Sequence, residues 1–364
     1  MVAGVSGTPT VYDVAEHAGV SIATVSRVYR NPDSVRAQTR DRVMEAAKQL
    51  GYVPSGNARG LASRSTGVLG LCFPDYADPD AEESAEETEE ARDAGDEAAM
   101  LYSDQIIRGM ERASRRHGYA LLIAASLAGG PESLVAKVAG RVDGFAVMAR
   151  TVPTEDLEPI ARRLPVVMLA GPRELDHLDH IEVANFDGQR ELTRHLVEAH
   201  GLHRLAYVGG DPASPDAEAR FRGFAAACRE AGLPEPAEPA LRTSLMTQAE
   251  GRRVTEELLD RSETDAPRPQ AMLFANDQMA IGALRALERR GVRVPEEMAV
   301  TGFDGIPLGQ IVRPTLTTVR QPMRRLGEEA VELLVRRLRA PEVTPASMML
   351  PVRAAYRSSC GCRP

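Results

Sequence analysis

The pattern of apolar and polar positions divides the chain into three zones. Apolar residues in the first fifty positions recur at helical spacing, and a Gly- and Ser-containing segment, 54–66, follows them. From residue 67 onward, short runs of consecutive apolar residues alternate with segments of helical period. The apolar runs are Val68–Cys72, Ala120–Ala124, Gly144–Met148, Val166–Leu169, Leu205–Val208, Ala271–Phe274 and Ala299–Phe303.

Runs that are apolar on consecutive residues are typical of strands buried on both faces of a parallel sheet. Their alternation with helical patterns predicts doubly wound α/β units. This zone spans about 300 residues, which is more than a single core usually holds, so we expect two similar lobes.

The first zone, residues 1–53, predicts three short helices. Thr10 and Asp13 have the spacing of a capping box, and Gly19 ends the first helix before a tight turn. Ser21 is the N-cap of the second helix. This is the pattern of a helix-turn-helix domain. The predicted helices are Val11–Ala18, Ser21–Tyr29 and Ala37–Leu50.

The second predicted helix carries polar side chains where a plain three-helix bundle does not need them. Thr24, Ser26 and Arg27 give one face hydrogen-bonding groups, as phosphate and base-edge contacts require. Further basic residues surround this helix. They are Arg30, Arg36, Arg40 and Arg42.

Charge is unevenly distributed along the chain, whose formal net charge is −8. Residues 1–66 hold 8 Lys/Arg and 5 Asp/Glu, a balance of +3. Residues 75–99 hold 12 acidic residues and one Arg, a balance of −11. The basic balance at the N-terminus is compatible with nucleic-acid binding. The acidic run repels itself and has little to bury, so we expect a disordered surface insertion at 75–99.

Four cysteines do not make a disulfide framework, and no apolar segment is long enough to span a membrane. Met1–Thr10 lacks the features of a secretory signal. Cys360 and Cys362 supply only two of the four ligands of a tetrahedral zinc site. We therefore expect an exposed tail, no metal, no cofactor and a reducing cytoplasm.

Enzymatic function is disfavoured because the common catalytic and nucleotide-binding motifs are absent. The chain has no GxSxG, GxxxxGK[ST] or HExxH, and no GxGxxG after a predicted strand. His177 and His180 fall in a polar segment, where solvent exposure is more common than metal binding.

In order from Val11, the chain carries three motifs, VYDVA..AGVS..TVSRV, GYVP and AR.LA.R. These motifs resemble the N-terminal signature of the LacI/GalR family. The resemblance covers nearly the whole chain. It implies a transcriptional repressor that binds a palindromic operator as a dimer. In the family the second helix enters the major groove. The matching residues are Ser21, Ile22, Ala23, Thr24, Ser26, Arg27 and Arg30, where Arg30 replaces the usual Asn.

The same resemblance identifies segment 54–66 as a hinge helix. It implies that Leu61, beside Ala62, inserts into the minor groove at the centre of the operator. Composition alone favours a plain linker. Gly56 and Gly60 each weaken a helix, so we expect the hinge to be helical only on DNA.

In the α/β region, residues 67–364, the resemblance implies a periplasmic-binding-protein-like domain that binds a small effector, a sugar, between its lobes. Each polar position could instead be a helix cap or a turn. Leu245 or Met246 stands where some relatives place an aromatic ring, so the identity of the sugar stays open. The implied effector contacts are Phe73, Asp187, Arg220, Asn276 and Asp304.

The family pattern also predicts which segments form each lobe. We expect 67–200 with 320–340 in the first lobe and 201–318 with 345–364 in the second. The segment from Leu316 to Leu338 resembles a dimer-interface helix, and no heptad-bearing tail follows it, which favours a dimer. The alternative functions are a small-molecule-binding protein and an enzyme of sugar metabolism.

Overall fold

The computed structural model describes residues 8–53, 65–74, 89–126, 138–149, 151, 154–170, 177–264 and 267–363. The chain divides into two compact units, Met1–Gly67 and Val68–Pro364. No helix in these ranges is long and apolar enough to cross a lipid bilayer.

The N-terminal unit contains the three predicted helices. They are α1 (Val11–Ala18), α2 (Ile22–Arg30) and α3 (Ala37–Leu50), with a 3-10 turn at Pro32–Ser34 before α3. Their inner faces form one small apolar core. Its buried members are Val14, Ala15, Ala18, Val25, Val28, Val43, Ala46 and Ala47.

Local hydrogen bonds fix both ends of α1 and the start of α2. The Thr10 N–H and hydroxyl both donate to Asp13 Oδ2 at 2.7 Å. Gly19 has a φ of 61°, a left-handed conformation that glycine adopts without strain, and it ends α1. Ser21 Oγ then accepts from the Thr24 N–H at 3.2 Å and caps α2. The turn predicted from sequence is confirmed.

The second unit contains two six-stranded sheets. In order, the first is β11-β5-β4-β3-β1-β2 and the second is β12-β10-β9-β8-β6-β7. All recorded pairings are parallel except that of β10 with β12, so the predicted two-lobe, mostly parallel α/β fold is confirmed. The strands are β1 (Val68–Pro74), β2 (Ala120–Ser126), β3 (Gly144–Met148), β4 (Val166–Leu169), β5 (Asp179–Val183), β6 (Leu205–Gly209), β7 (Leu241–Arg242), β8 (Ala271–Phe274), β9 (Ala299–Asp304), β10 (Thr317–Arg320), β11 (Ser347–Leu350) and β12 (Arg353–Ala355).

Helices cover both sheets. In the first lobe α10 packs on α4 and on β3 and β4, and in the second lobe α6 packs on α7 and α8 on α9. Short 3-10 turns lie at Pro307–Gln310 and Ser358–Cys360. The helices are α4 (Glu89–Arg116), α5 (Thr154–Ala161), α6 (Asn185–His200), α7 (Pro215–Glu230), α8 (Gln248–Thr264), α9 (Asp277–Arg289) and α10 (Met323–Arg339).

The chain crosses between the lobes three times: after β5 at residue 184 (the first crossover), after β10 at 321–322 (the second) and after β11 at 351–352 (the third). The first and third differ from the prediction. Helix α6 packs on β10 and β12 of the second sheet, so the expectation that 185–200 belongs to the first lobe is wrong. Strand β11 pairs with β5 of the first sheet, with Ser347 opposite His180, so placing it in the second lobe is also wrong. The free edge of β5 explains this, because the His180 N–H donates to the Ala346 carbonyl at 2.8 Å.

The acidic run is not disordered throughout. Helix α4 begins at Glu89, so the prediction for 75–99 is wrong for 89–99, and 75–88 lie outside the described residues. The buried Ile106 and Met110 anchor the later turns of this helix, and adding turns to an existing helix costs little.

The C-terminal tail packs against the second sheet instead of extending into solvent. Cys360 is only 3% exposed, so the expectation of an exposed tail is wrong. Ser359 Oγ accepts from the Thr317 N–H at 2.8 Å and donates to the Val300 carbonyl at 2.6 Å. His180, also expected at the surface, is fully buried in β5.

A buried carboxylate ties α10 and the segment before β11 to the first sheet. Asp179, at the start of β5, is 1% exposed. It accepts from Arg336 Nη2 at 3.0 Å, Arg337 Nη2 at 2.9 Å and the Ala346 N–H at 2.7 Å. One side chain therefore joins α10, β5 and the residue before β11.

We predict that Asp179→Asn lowers the free energy of unfolding by about 2 kcal/mol, because the variant loses charge-assisted bonds at a buried position. Glu158→Gln is the control, since Glu158 makes an exposed ion pair with Arg162 and its loss should cost less than about 1 kcal/mol. Urea denaturation of both variants tests this. Equal stabilities would contradict the assignment.

Candidate DNA-binding surface and ligand cavity

Helix α2 presents one face to the core of the N-terminal unit and the opposite face to solvent. Val25 and Val28 are buried, whereas Ile22, Ala23 and Arg27 are exposed. Ile22, in the first turn of this capped helix, is 40% exposed and is not among the members of the unit's apolar core. This face offers methyl groups and a guanidinium together, as reading of base edges requires.

The other predicted DNA contacts of α2 do not lie on this exposed face as free side chains of known position. Ser21 Oγ and Thr24 Oγ1 lie 2.9 Å apart, so both hydroxyls take part in the helix cap. Ser26 is half-buried. Arg30 is the last residue of α2, and its side chain lies outside what the structure describes.

Two further expectations on the DNA surface concern the hinge. Leu61 and Ala62 lie in the segment 54–64, which falls outside the described residues. Tyr12, which the sequence pattern did not single out, is 67% exposed at the second position of α1. An exposed aromatic residue with a hydroxyl beside a helix N-terminus is a candidate phosphate contact, and its position opposite the core-facing Val14 and Ala18 could have identified it.

A cavity of about 300 Å³ lies between the two lobes, at the carboxyl ends of their strands. This is where open parallel sheets place their ligands. Three of the five predicted effector contacts line it. The lining includes Arg220, Asn276 and Asp304 with Tyr102, Met148, Ala149, Ala170, Asp211, Ser214, Asp216, Leu245, Met246, Gln248, Gln278 and Ile306.

Arg220 is the buried cation of this cavity and is 4% exposed. Its Nε donates to Asn185 Oδ1 at 2.8 Å and its Nη1 to the Ala275 carbonyl at 2.5 Å. The same Nη1 lies 3.3 Å from Asp304 Oδ1, and the guanidinium lies 4.0 Å from the centre of the Phe303 ring. These contacts fix the guanidinium plane before any ligand binds.

Asp304, the last residue of β9, is held in place by two polar partners. Gln321 Nε2 donates at 2.6 Å to its Oδ1, the same oxygen that lies near Arg220. Its φ is 120°, and Ala170, also in the cavity wall, has a φ of 56°. They are the non-glycine residues with positive φ in the described ranges. Backbone strain of this kind concentrates at ligand sites.

Asn276 lines the cavity but uses both of its amide atoms structurally. Its Oδ1 accepts from the Met279 N–H at 2.9 Å and caps α9. Its Nδ2 donates to the Met246 carbonyl at 2.9 Å, which fixes the loop between β7 and α8. Asn276 therefore positions Leu245 and Met246, which both line the cavity.

Several lining residues were missed by the sequence analysis. Gln248 Nε2 donates to Gln278 Oε1 at 2.8 Å, which leaves Gln248 Oε1 and Gln278 Nε2 buried without a partner. Asp216, at the second position of α7, also lines the cavity, and Tyr102 supplies an aromatic ring. All but Tyr102 lie in the first turn of a helix, a position that could have identified them.

Two predicted effector contacts do not line the cavity. Asp187 is exposed on the first turn of α6, and its place is taken by Asn185, whose side chain bonds Arg220. The helical turn between these residues points Asp187 away from the cleft. Phe73 packs against the large apolar core of the domain from the end of β1. The structure therefore does not bring these two residues together with the other three predicted contacts.

Comparisons with known proteins agree with this geometry. Residues 10–55 match the model of bacterial regulatory proteins of the lacI family, and residues 193–360 match that of a periplasmic binding protein-like domain. Catabolite control protein A of Staphylococcus xylosus is 30% identical, covering 97% of this chain and 99% of the relative. The chain belongs to the lacI family of bacterial regulatory proteins.

Solved structures extend the match over both units. A lac repressor dimer bound to operator and the anti-inducer ONPF is 27% identical with a TM-score of 0.79, covering 97% of this chain and 99% of that one. A complex of the regulator CelR with cellobiose is 28% identical with a TM-score of 0.66, covering 96% and 99%. This lacI-family protein is a DNA-binding transcriptional regulator rather than an enzyme.

The carboxylates around the regulator's cavity are poorly solvated. Burial raises the pKa of Asp304 to about 6, although the neighbouring Arg220 charge and the Gln321 hydrogen bond oppose the rise. Burial also raises the pKa of Asp216, and the Arg220 charge and a hydrogen bond with Asn185 oppose this rise. The cavity therefore holds closely spaced carboxylates around one guanidinium.

A carboxyl whose pKa is higher in the folded protein than in the unfolded chain holds its proton longer in the folded state. The contribution of Asp304 to the free energy of unfolding is therefore fully present at low pH, where the carboxyl is protonated in both states. It is lost as the pH rises from about 4 to about 6, because the buried carboxyl must then ionise. We predict that Asp304→Asn flattens the fall in stability over this range by at most about 1.4 kcal/mol per pH unit. Denaturant titrations at several pH values measure it, with exposed Asp187→Asn as control, and identical slopes for Asp304→Asn and wild type would contradict it.

Proposed function

We propose that this lacI-family regulator is a cytoplasmic repressor that binds a palindromic operator as a homodimer, and that a sugar in the cavity controls this binding. The observation that carries the proposal is a polar cavity at the carboxyl ends of two parallel sheets, in a chain that begins with a helix-turn-helix. The lac repressor dimer on operator and the cellobiose complex of CelR support it by similarity.

The exposed face of α2 is proposed to contact the major groove. Ile22 and Ala23 offer apolar contact to thymine methyl groups, and Arg27 can reach a guanine edge or a phosphate. Ser21 and Thr24 hold the first turn in shape, while Ser26 and Arg30 are proposed to contact the backbone. Leu61 and Ala62 are proposed to enter the minor groove, and Tyr12 to bind a phosphate.

A sugar suits the cavity in size and chemistry. A volume of about 300 Å³ is at the lower end for small-ligand sites. Gln248 Oε1 and Gln278 Nε2 supply an acceptor and a donor without partners, beside the Asp216 and Asp304 carboxylates. Tyr102 offers an apolar ring face. Alternating donors, acceptors and one ring match the hydroxyl groups and C–H faces of a pyranose.

The lining suggests how a ligand acts at a distance. Tyr102, Met148 and Ala170 come from the first lobe, whereas Arg220 and Gln278 come from the second. A sugar that bonds both walls favours a closed arrangement of the lobes. Because a ligand shifts an equilibrium only through unequal affinity for the two states, we propose that the closed state is the weaker DNA binder.

The DNA proposal predicts that the full-length protein enriches palindromic duplexes from a random pool at fixed salt. Arg27→Ala should weaken binding to the selected site about tenfold or more, since a base-edge contact is worth about 1–3 kcal/mol. Arg115→Ala is the matched control, because this exposed Arg lies in the second unit. No palindrome enrichment, or equal losses in both variants, would refute the assignment.

The sugar proposal predicts that at least one member of a mono- and disaccharide panel raises the melting temperature of the full chain. Gln278→Leu should weaken that sugar about tenfold or more by removing a donor at a buried position. Gln310→Leu is the control, since Gln310 is exposed and does not line this cavity. The idea fails if no sugar shifts the melting temperature, or if both variants bind equally.

A further inference from the structure

Four side chains with metal-binding chemistry converge on the second lobe, away from the cavity. His195 and His200 lie in the last two turns of α6, and Cys360 and Cys362 lie in the C-terminal tail. One ligand atom from each lies within 4.8 Å of every other. About 160 residues separate the pairs along the chain, so the fold alone brings them together.

The spacing of these atoms fits a tetrahedron. Zn–S bonds of about 2.3 Å and Zn–N bonds of about 2.0–2.1 Å at tetrahedral angles place S and N about 3.6 Å apart and two N atoms about 3.3 Å apart. Cys362 Sγ lies 3.3 Å from His195 Nε2 and 3.4 Å from His200 Nε2, and the two Nε2 atoms lie 3.1 Å apart. Cys360 Sγ lies 4.0 Å from His195 Nε2.

We propose that His195, His200, Cys360 and Cys362 form a structural zinc site that fastens the C-terminal tail to α6. Two thiolates and two imidazoles are the donor set of closed, tetrahedral zinc sites. Hard cations such as Mg²⁺ and Ca²⁺ prefer oxygen ligands, which this cluster does not supply. Coordination displaces the thiol protons to solvent and leaves the oxidation states unchanged.

Neighbouring groups hold the ligands in this arrangement. The Tyr356 ring stacks on His195 with 3.7 Å between ring centres, and the Tyr356 hydroxyl donates to Glu191 Oε1 at 3.3 Å. The Thr317 hydroxyl lies 3.1 Å from Cys360 Sγ and can donate to it. Gly361 has a φ of 99°, a conformation that glycine tolerates and that lets both flanking cysteines face one point. Such supporting contacts are typical of built metal sites.

The position of the cluster indicates a structural role. His200 ends α6 just before β6 begins, so the cluster lies at the amino ends of the second sheet's strands. The ligand cavity lies at the opposite, carboxyl edge. Zinc would join the tail to a helix that starts at the first crossover, which stabilises the second lobe without contacting the cavity.

Metal analysis of the full-length chain, expressed without a histidine tag and purified under reducing conditions, tests the proposal. We expect about one zinc per chain by elemental analysis. Cys362→Ser and His195→Asn should lower this content at least about tenfold. Cys228→Ser and His203→Asn are matched controls, since Cys228 is buried elsewhere and His203 is exposed near α6, and both should keep the metal.

Cobalt substitution of the wild-type chain gives a readout that does not depend on how the variants fold. A tetrahedral site with two thiolates should give intense d–d bands and a sulfur-to-cobalt charge-transfer band, and zinc should displace both. Absence of bound zinc and cobalt after reconstitution would overturn the proposal. Weak octahedral bands, equal zinc in Cys362→Ser and Cys228→Ser, or a Cys360–Cys362 disulfide in the reduced preparation would also overturn it.

Discussion

The ligand cavity depends on the burial of one guanidinium. Arg220 reaches from α7 to Asn185 at the first crossover, to the end of β8 and to Asp304 at the end of β9. A buried cation is tolerated only when its donors are satisfied, so these partners hold one another in position. Asp304 in turn accepts from Gln321, which lies at the second crossover. A single polar network thus connects the cavity wall to two of the three segments that join the lobes.

This connection gives the domain a physical means of regulation. A ligand that bonds Asp304 or Asp216 competes with Arg220 for the same carboxylates. This competition changes the contacts that Asn185 and Gln321 make at the crossovers. Within the first lobe, Asp179 accepts from Arg336 and Arg337 of α10 and from the Ala346 N–H just before β11. Each lobe is thus a packed unit, and polar contacts connect the two lobes near the crossovers. Lobes joined in this way can move between two arrangements.

Local features of the fold could be predicted from sequence, and features set by topology could not. The cap at Thr10, the turn at Gly19 and the buried strands depend on residues close together in the chain, and each was found. The sequence predicts Asp187 as an effector contact, but strand-end position alone does not tell which side of a new helix faces the cleft, and it is Asn185 that bonds Arg220. The strand β11 was misplaced since its partner, β5, lies more than 150 residues earlier. A similar separation along the chain is why the sequence does not predict that His195 and His200 lie next to Cys360 and Cys362.

The most direct test of the central claim, that cavity and helix-turn-helix share one conformational equilibrium, is a complete thermodynamic cycle on the full-length protein. Sugar affinity is measured with and without saturating operator, and operator affinity with and without saturating sugar. Linkage requires the two affinity ratios to be equal, and we predict that both differ from one by about fivefold or more, with each ligand weakening the other. Sugar affinity that operator leaves unchanged would contradict the account.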